Sequence, residues 1–282
     1  MSVSAVVLGL AACGAAGAGV PALVRAIPEP EPADSTTTVE PAAVSEHGTD
    51  HAAKTAAAQS ADEGPNRGGQ AASAATRTHA EVAAAPQDDP KILYADLGAR
   101  RGVGVRAVLL SGVAGALVAW SQGWSWTLLV LLPLVPVMVA LAVVDWNTRL
   151  LPTWVIRPTY YLTVALVLVA GLAAGDAGAV IRAAAGWLVL GALYGLLWFV
   201  NSGGLGYGDV RLSGVLGLAG GFVGWAELLT GAWSAFLLGG VIGGVLALLK
   251  VVDRKAVPFG PFMVLGALVG LLVGPGVGAS LG

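Results

Sequence analysis

Long apolar runs recur along this chain of 282 residues, and they constrain its fold more than any other feature. A helix of about 20 apolar residues covers the ~30 Å hydrocarbon core of a bilayer, and there only helices and closed barrels pair every backbone polar group. Hydrophobic residues make up 56% of the chain and charged residues 11%, which is unlike the usage of soluble domains. The sequence therefore predicts an all-α polytopic membrane protein.

The runs predict about eight transmembrane helices. The first covers 3–24 and has no basic segment before it, while Arg25 follows it; this favours an uncleaved anchor, with a signal peptide as the open alternative. The other seven lie approximately at 107–121, 126–144, 153–174, 179–200, 210–224, 227–249 and 261–281. The run at 210–224 is short and rich in glycine, and it is the weakest of these signals.

The composition changes between the first run and the second. Residues 27–90 are rich in Ala, Pro, Glu, Thr and Ser, and they cannot bury enough apolar surface to offset the entropy of ordering. We expect them to form a long disordered cytoplasmic loop. Residues 91–106 are expected to be a basic juxtamembrane segment, either an interfacial helix or a solvated collar. The predicted organisation is a first span at 1–26, the loop, the basic segment, and a seven-helix core at 107–282.

The basic residues predict the orientation of the spans. With eight spans, every Lys and Arg except Arg182 falls on one side of the membrane, and cytoplasmic loops are the ones enriched in these residues. Both termini are therefore expected outside, and the ends of the spans near Asp145 and Asp209 are expected at the cytoplasmic face. Nothing in the charge pattern resembles a nucleic-acid surface.

Asp145 and Asp209 stand out because each lies where an apolar run meets this face. Asp145 ends the run at 126–144, where the helix dipole and partial desolvation both disfavour a carboxylate. Asp209 follows a glycine-rich segment and precedes the run at 210–224. Structural explanations stay open for both: an ion pair with Arg149 at i+4 for Asp145, and helix N-capping for Asp209.

The functional explanation is that the two carboxylates meet. Like charges at close range cannot both ionise cheaply, so one stays ionised and deprotonates a water while the protonated partner polarises a scissile carbonyl. This interpretation predicts a membrane aspartic endopeptidase in which Asp145 and Asp209 are catalytic, with the acid and base roles unassigned because the proton belongs to the pair. Gly206 and Gly208 would then let a substrate backbone approach Asp209.

Three segments resemble, in order, motifs of the bacterial prepilin peptidases, also called type IV leader peptidases. They are Asp145-Trp146-Asn147-Thr148-Arg149-Leu150-Leu151-Pro152, Gly206-Tyr207-Gly208-Asp209-Val210-Arg211-Leu212 and Val257-Pro258-Phe259-Gly260-Pro261-Phe262. The second is similar to the GxGD signature of that family. The resemblance covers about 107–282 and implies cleavage of the short basic leader from pilin-like precursors at the cytoplasmic membrane face.

The resemblance also implies roles for individual residues. Asp145 and Asp209 would be catalytic. The other motif residues would position them and the substrate: Arg149, Pro152, Gly206, Tyr207, Gly208, Arg211, Pro258, Gly260 and Pro261. The expected partners are a prepilin or pseudopilin precursor, from a type IV pilus or protein secretion system, and the lipids of the bacterial cytoplasmic (inner) membrane.

The chain departs from many family members in the insert after the first span. There, paired cysteines hold zinc and are associated with N-methylation of the newly exposed amino terminus. Here the one cysteine is Cys13, inside the first apolar run, and the three histidines, His47, His51 and His79, have no cysteine partners. The sequence therefore predicts no metal, no cofactor and no methyltransferase activity.

Two other classes of function stay open. A proton- or ion-coupled transporter also carries acids and glycine-interrupted helices in the membrane, but its binding site is expected near the midplane rather than at a membrane edge. A noncatalytic scaffold for a pilus or secretion assembly would keep the fold and tolerate loss of either aspartate.

Overall fold

The computed structural model describes residues 2–28, 94–200, 205–249 and 258–281. All regular secondary structure in these ranges is helical, which confirms the predicted all-α fold class. The predicted loop at 27–90 lies outside the described residues except at its first positions. The described residues belong to one compact unit.

The described part of the chain contains ten helices. In order they are α1 (Val3–Gly17), α2 (Val20–Arg25), α3 (Tyr94–Ala99), α4 (Arg101–Gln122), α5 (Thr127–Thr148), α6 (Thr153–Ala174), α7 (Ala177–Val200), α8 (Tyr207–Val223), α9 (Trp225–Leu248) and α10 (Gly260–Leu281). Over the described ranges, seven segments are long and apolar enough to cross a membrane; α1 and α2 together form the first, and α4, α5, α6, α7, α9 and α10 contribute the others. The chain is therefore a multi-pass membrane protein.

Helix α8 corresponds to the sixth predicted span, at 210–224, and is not among the seven segments long enough to cross a membrane. Its 17 residues cover about 25 Å at the usual helical rise, less than the ~30 Å hydrocarbon core. The helix also begins at Tyr207, earlier than the run at 210–224 indicated, because Gly206 takes an extended conformation and serves as its N-cap. Asp209 consequently lies inside the first turn of α8.

Helix α5 is the central helix of the bundle. More than half of its most apolar window, 56%, is buried, whereas the other candidate spans bury 39% or less. It contacts α1, α4, α6, α8 and α10. A residue near the end of α5 therefore lies among several helices rather than at the lipid surface, and this is the position that Asp145 occupies.

Glycines allow close contact within three pairs of helices. A Cβ atom on Gly115 of α4 would lie 2.5 Å from the Gly9 carbonyl oxygen of α1, and one on Gly266 of α10 would lie 2.6 Å from the Gly231 oxygen of α9. Between α7 and α8, a Cβ on Gly217 would lie 2.6 Å from the Gly186 oxygen. In lipid there is no hydrophobic driving force between helices, so their association depends on van der Waals packing. Small residues at the contacts let the helix backbones come close enough for that packing.

We expect Gly217→Ala to destabilise the protein by about 1–3 kcal/mol, as overpacking a close contact does. The added methyl group would meet backbone atoms of α7, which cannot rotate out of its way. Thermal unfolding of the detergent-solubilised protein measures the effect. The control is Gly191→Ala on α7, where no other atom lies within 4 Å of the new Cβ; it should be neutral or slightly stabilising, since alanine favours helix. Equal melting temperatures for the two variants would contradict the prediction.

Candidate active site

Asp145 lies in the last turn of α5 and is held by the start of α10. Its side chain is 4% exposed, and its Oδ2 atom accepts a hydrogen bond from the Gly260 N–H at 3.0 Å. Gly260 is the first residue of α10, so the positive end of that helix dipole faces the carboxylate. This contact offsets the unfavourable dipole of α5, and it accounts for how an acid is accommodated there.

Asp209 is held in the same way by a glycine of its own helix. It is the third residue of α8 and is 6% exposed. Its Oδ2 atom accepts a hydrogen bond from the N–H of Gly206, the N-cap residue, at 3.0 Å. Asp209 is therefore not the N-cap itself, although it satisfies one of the free N–H groups at the helix start. Its Oδ1 atom is buried and has no hydrogen-bond partner among the described residues.

The structure brings Asp145 and Asp209 to the same end of the helix bundle. Helix α8 reaches the segment after α5 so closely that a Cβ on Gly208 would lie 2.7 Å from the Leu151 Cβ. The two carboxylates are close enough for the charge of Asp145 to act on Asp209. Within the described residues, each uses Oδ2 to bind a glycine N–H and leaves Oδ1 without a protein hydrogen bond. A buried polar oxygen without a partner needs an explanation, and a substrate or a water would supply one.

Arg149 contributes its backbone to this site, not an ion pair. Its N–H donates to the Asp145 carbonyl oxygen at 2.8 Å, and it ends α5 in the left-handed conformation with φ 56°. Among the described residues no salt bridge joins its side chain to Asp145. The ion pair that would have explained Asp145 structurally is therefore not present here, and Arg149 acts as the helix C-cap.

We expect Arg149→Gly to stabilise the protein by about 1 kcal/mol and Arg149→Val to destabilise it by a similar amount or more. The left-handed conformation costs an ordinary residue roughly 1–2 kcal/mol, costs glycine nothing, and is worst for a β-branched residue. Thermal unfolding of the two variants beside the parent protein measures both signs. A loss of stability in the glycine variant would show that the arginine side chain makes a contact that outweighs the backbone effect.

Arg211 and Tyr207 connect α8 to its neighbours and do not contact the aspartates. The Arg211 guanidinium lies 4.6 Å from the Tyr207 ring centroid and donates a hydrogen bond to the Thr153 hydroxyl at the start of α6. The Tyr207 ring lies 5.2 Å from that of Trp198 on α7. Pro152 is the extended N-cap of α6. These motif residues thus fix the start of α8 against α6 and α7, which agrees with a positioning role.

The last motif forms the start of α10. Pro258 and Phe259 precede the helix, Gly260 begins it, and Pro261 follows within its first turn. Proline suits that position because the first N–H groups of a helix have no partner inside it. Gly260 is required for a different reason, since a Cβ there would lie 2.7 Å from Asp145 Oδ2.

Tyr194 of α7 lies near the two aspartates, and none of the three motifs includes it. Its side chain is 2% exposed, and its ring lies 5.2 Å from Phe236 of α9 and 6.1 Å from Phe259. The charge of Asp209 acts on its phenol. Tyr194 thus packs against Phe259, the residue that precedes Gly260. The one signal in the sequence is a hydroxyl inside an otherwise apolar span.

Comparison with known families agrees with this geometry. Residues 129–248 match the type IV leader peptidase family, and the matched segment contains both Asp145 and Asp209. This segment, which is less than half of the chain, is similar to that family. The match confirms the resemblance for the first two motifs; the third motif, at 257–262, lies beyond the matched segment. Helix α10, which holds Asp145 through Gly260, follows the matched segment.

Several curated proteins are similar to this chain, and each is named a prepilin leader peptidase/N-methyltransferase. The relative from Stutzerimonas stutzeri is 32% identical over 174 residues, which is 61% of this chain and 59% of that protein. The one from Pseudomonas putida is 35% identical over 182 residues, 63% of this chain and 60% of that protein. The one from Escherichia coli K12 is 34% identical over 140 residues, 48% of this chain and 58% of that protein.

This chain thus spans about 60% of the length of the curated relatives it matches. No solved structure matches it significantly.

Proposed function

We propose that this protein is a membrane aspartic endopeptidase that removes the leader from prepilin-like precursors, with Asp145 and Asp209 as its catalytic pair. One observation supports this assignment above the others. Two buried carboxylates from distant parts of the chain lie at one end of the bundle, and each is tethered by a glycine N–H through one oxygen. Among the described residues the other oxygen of Asp209 is buried and has no hydrogen-bond partner. The family domain that contains both residues supports the same assignment.

The chemistry uses one proton shared by the pair. The ionised carboxylate takes a proton from a water molecule while the water oxygen attacks the scissile carbonyl carbon, and the protonated carboxyl donates its proton to the carbonyl oxygen. The tetrahedral intermediate then collapses: the C–N bond breaks, the leaving amine takes the proton held by one carboxyl, and one hydroxyl of the intermediate gives its proton to the other carboxylate as the C=O bond re-forms. The products are the leader with a new carboxylate and the mature chain with a new amino terminus, and the pair again holds one proton.

The glycine N–H groups keep the pair in order during this cycle. Each hydrogen bond fixes one carboxylate oxygen without placing a positive side chain beside it. A neighbouring lysine or arginine would favour ionisation of both acids and so remove the proton that the mechanism needs. In the part of the chain that the structure describes, no salt bridge involves Asp145 or Asp209, as this mechanism requires.

The substrate that fits is a precursor with a short basic leader followed by an apolar helix. Both aspartates lie at the ends of helices rather than near the middle of a span, so the bond that they cleave lies at a membrane edge, where a leader meets its helix. With α8 counted as the eighth crossing, the distribution of Lys and Arg favours the cytoplasmic edge, with both termini outside. The same position argues against a transporter, whose site belongs near the midplane.

The test is cleavage by the purified protein in liposomes of bacterial lipids. A full-length prepilin-like precursor is incubated with the proteoliposomes, and mass spectrometry of the products locates the cut. We expect cleavage at the boundary between the leader and the apolar helix, and an amino terminus that stays unmethylated when S-adenosylmethionine is added. A precursor that binds but remains intact would favour the scaffold function, and a methylated product would overturn the expectation drawn from the missing cysteines.

A further inference from the structure

A large apolar groove begins beside the aspartates. Its volume is ≈820 Å³, and α4, α5, α9 and α10 supply most of its lining. This volume is at the upper end of the range for small-molecule pockets, which is about 300–1,000 Å³. The groove is thus too large to be a packing defect between helices, and it calls for an occupant.

The groove extends along most of the membrane thickness and ends at the proposed active site. Its lining on α5 runs from Leu131 to Asn147, a distance of about 24 Å at the helical rise. Asn147, Pro261 and Tyr194 line the end nearest the site. Asn147 lies two residues beyond Asp145, and Pro261 follows Gly260. An elongated occupant therefore has one end beside the carboxylates.

One side of the groove is open. Its inner wall is buried, as Met138, Leu190 and Met263 show with exposures of 6%, 4% and 2%. In contrast, Leu110 and Val113 of α4 are each 54% exposed although they line the groove. In a membrane this open side faces lipid. An occupant can therefore enter from the bilayer and keep one face in contact with acyl chains.

The lining suits a helix. It is mostly aliphatic, with Arg100, Arg106 and Glu227 as its charged residues, and several of its other residues are small. The small residues include Ala114, Gly231, Ala232 and Ala267. Small residues let a second helix backbone come close, which provides the van der Waals packing that holds membrane helices together. A helix with side chains is about 10–12 Å wide, so it would lie half in the groove and half in lipid, as the open side requires.

Two arginines set the register of such a helix. Arg100 and Arg106 line the groove near its active-site end. Their charge disfavours entry of a basic leader, whereas the apolar helix behind it meets no such barrier. The boundary between leader and helix would therefore stop at the mouth of the groove, which is where Asp145 and Asp209 lie.

We propose that this groove binds the apolar transmembrane helix of the precursor and so presents the leader boundary to the aspartates. The proposal rests on the proposed function for the identity of its substrate. It adds where the substrate lies, the direction from which it enters, and the side chains it contacts. Phospholipid fills the groove in the absence of precursor and is displaced by it.

Disulfide cross-linking tests the contact directly. Cys13→Ala removes the one cysteine of the chain, and Asp209→Asn in the same background keeps the precursor intact. Leu110→Cys is then oxidised in liposomes with a precursor that carries one cysteine in its apolar helix. The matched control is Leu109→Cys, because Leu109 is the adjacent residue, is 61% exposed and does not line the groove. We expect at least tenfold more cross-linked product at position 110 than at 109.

Kinetics give an independent measurement. Val113→Trp should narrow the groove and raise KM for the full-length precursor about tenfold with kcat unchanged, whereas Leu109→Trp should leave both constants unchanged. A soluble peptide that contains the cleavage site and lacks the helix should be cleaved equally by both variants. Suppose that the parent protein cleaves the precursor, that positions 109 and 110 cross-link equally, and that Val113→Trp leaves KM for the full-length precursor unchanged. The groove inference is then overturned, and the proposed function stands. Absence of cleavage by the parent protein counts against the proposed function instead.

Native mass spectrometry completes the test. Phospholipid bound to the detergent-purified protein should be lost when precursor is added to the Asp209→Asn variant. A lipid that stays bound beside the precursor would assign the groove to lipid alone and overturn the proposal.

Discussion

Replacement of either aspartate by asparagine should lower kcat for precursor cleavage by about 10²–10⁴-fold or more, which is the usual contribution of a general acid or base. Asparagine keeps an oxygen that can accept the glycine N–H, so Asp145→Asn and Asp209→Asn should both insert and fold normally. Neither can hold the shared proton. The double variant should be no worse than the single ones, because the two groups act as a unit and their effects are not additive.

Asp176→Asn is the matched control for this series. Asp176 also accepts a backbone N–H near a helix start, from Ala179 at 2.8 Å, and the chemical change is identical. It lies at the start of α7, outside the proposed site. Cleavage by the Asp176 variant should equal that of the parent protein. If either active-site variant retains comparable cleavage while it inserts normally, the paired-acid mechanism is excluded.

Gly260→Ala should reduce cleavage by roughly 100-fold while the protein remains folded. The new methyl group would lie 2.7 Å from Asp145 Oδ2, closer than real Cβ contacts allow. The carboxylate or the start of α10 must therefore move, and displacements of about 1 Å in a positioned catalytic group cost about this factor. The loss should fall mainly on kcat, since most of the groove that we assign to the substrate helix is lined by α4, α5 and α9 and by later residues of α10.

The control for this variant is Gly276→Ala on the same helix, where no atom lies within 4 Å of the added Cβ. Melting temperatures and cleavage rates of the two variants are compared side by side. We expect similar stability for both and loss of activity in the first alone. Equal activity would show that the contact between Gly260 and Asp145 does not position a catalytic group.

Much of the architecture was predictable because the membrane restricts it so strongly. Apolar runs in a bilayer can only be helices or barrel strands, and their length distinguishes the two. The limits of the helices were less predictable. Helix α8 starts at Tyr207 and α4 at Arg101, both before the corresponding apolar runs begin. Polar residues in the first turn lower the hydropathy of the sequence there, although the helical backbone hydrogen bonds already include that turn.

The candidate site was only partly predictable. The motifs selected Asp145, Asp209 and Gly260, but the sequence did not indicate that the Gly260 N–H binds Asp145, since these residues are far apart in the chain. It offered an ion pair between Asp145 and Arg149 instead. The structure gives Arg149 a backbone role at the end of α5. Tyr194 and the groove were not predicted at all, because each is defined by contacts among helices that are distant in sequence.

The sequence by itself determined that the chain crosses the membrane as a helical bundle, and which acids interrupt its apolar pattern, because hydrophobicity and charge are local properties of the residues. Only the tertiary structure decided that α10 supplies the hydrogen bond to Asp145, that α8 brings Asp209 beside it, and that a groove opens from this point. Those features depend on how closely the helices approach one another. The approach is set by glycines such as Gly208 and Gly217, whose contacts the sequence does not specify.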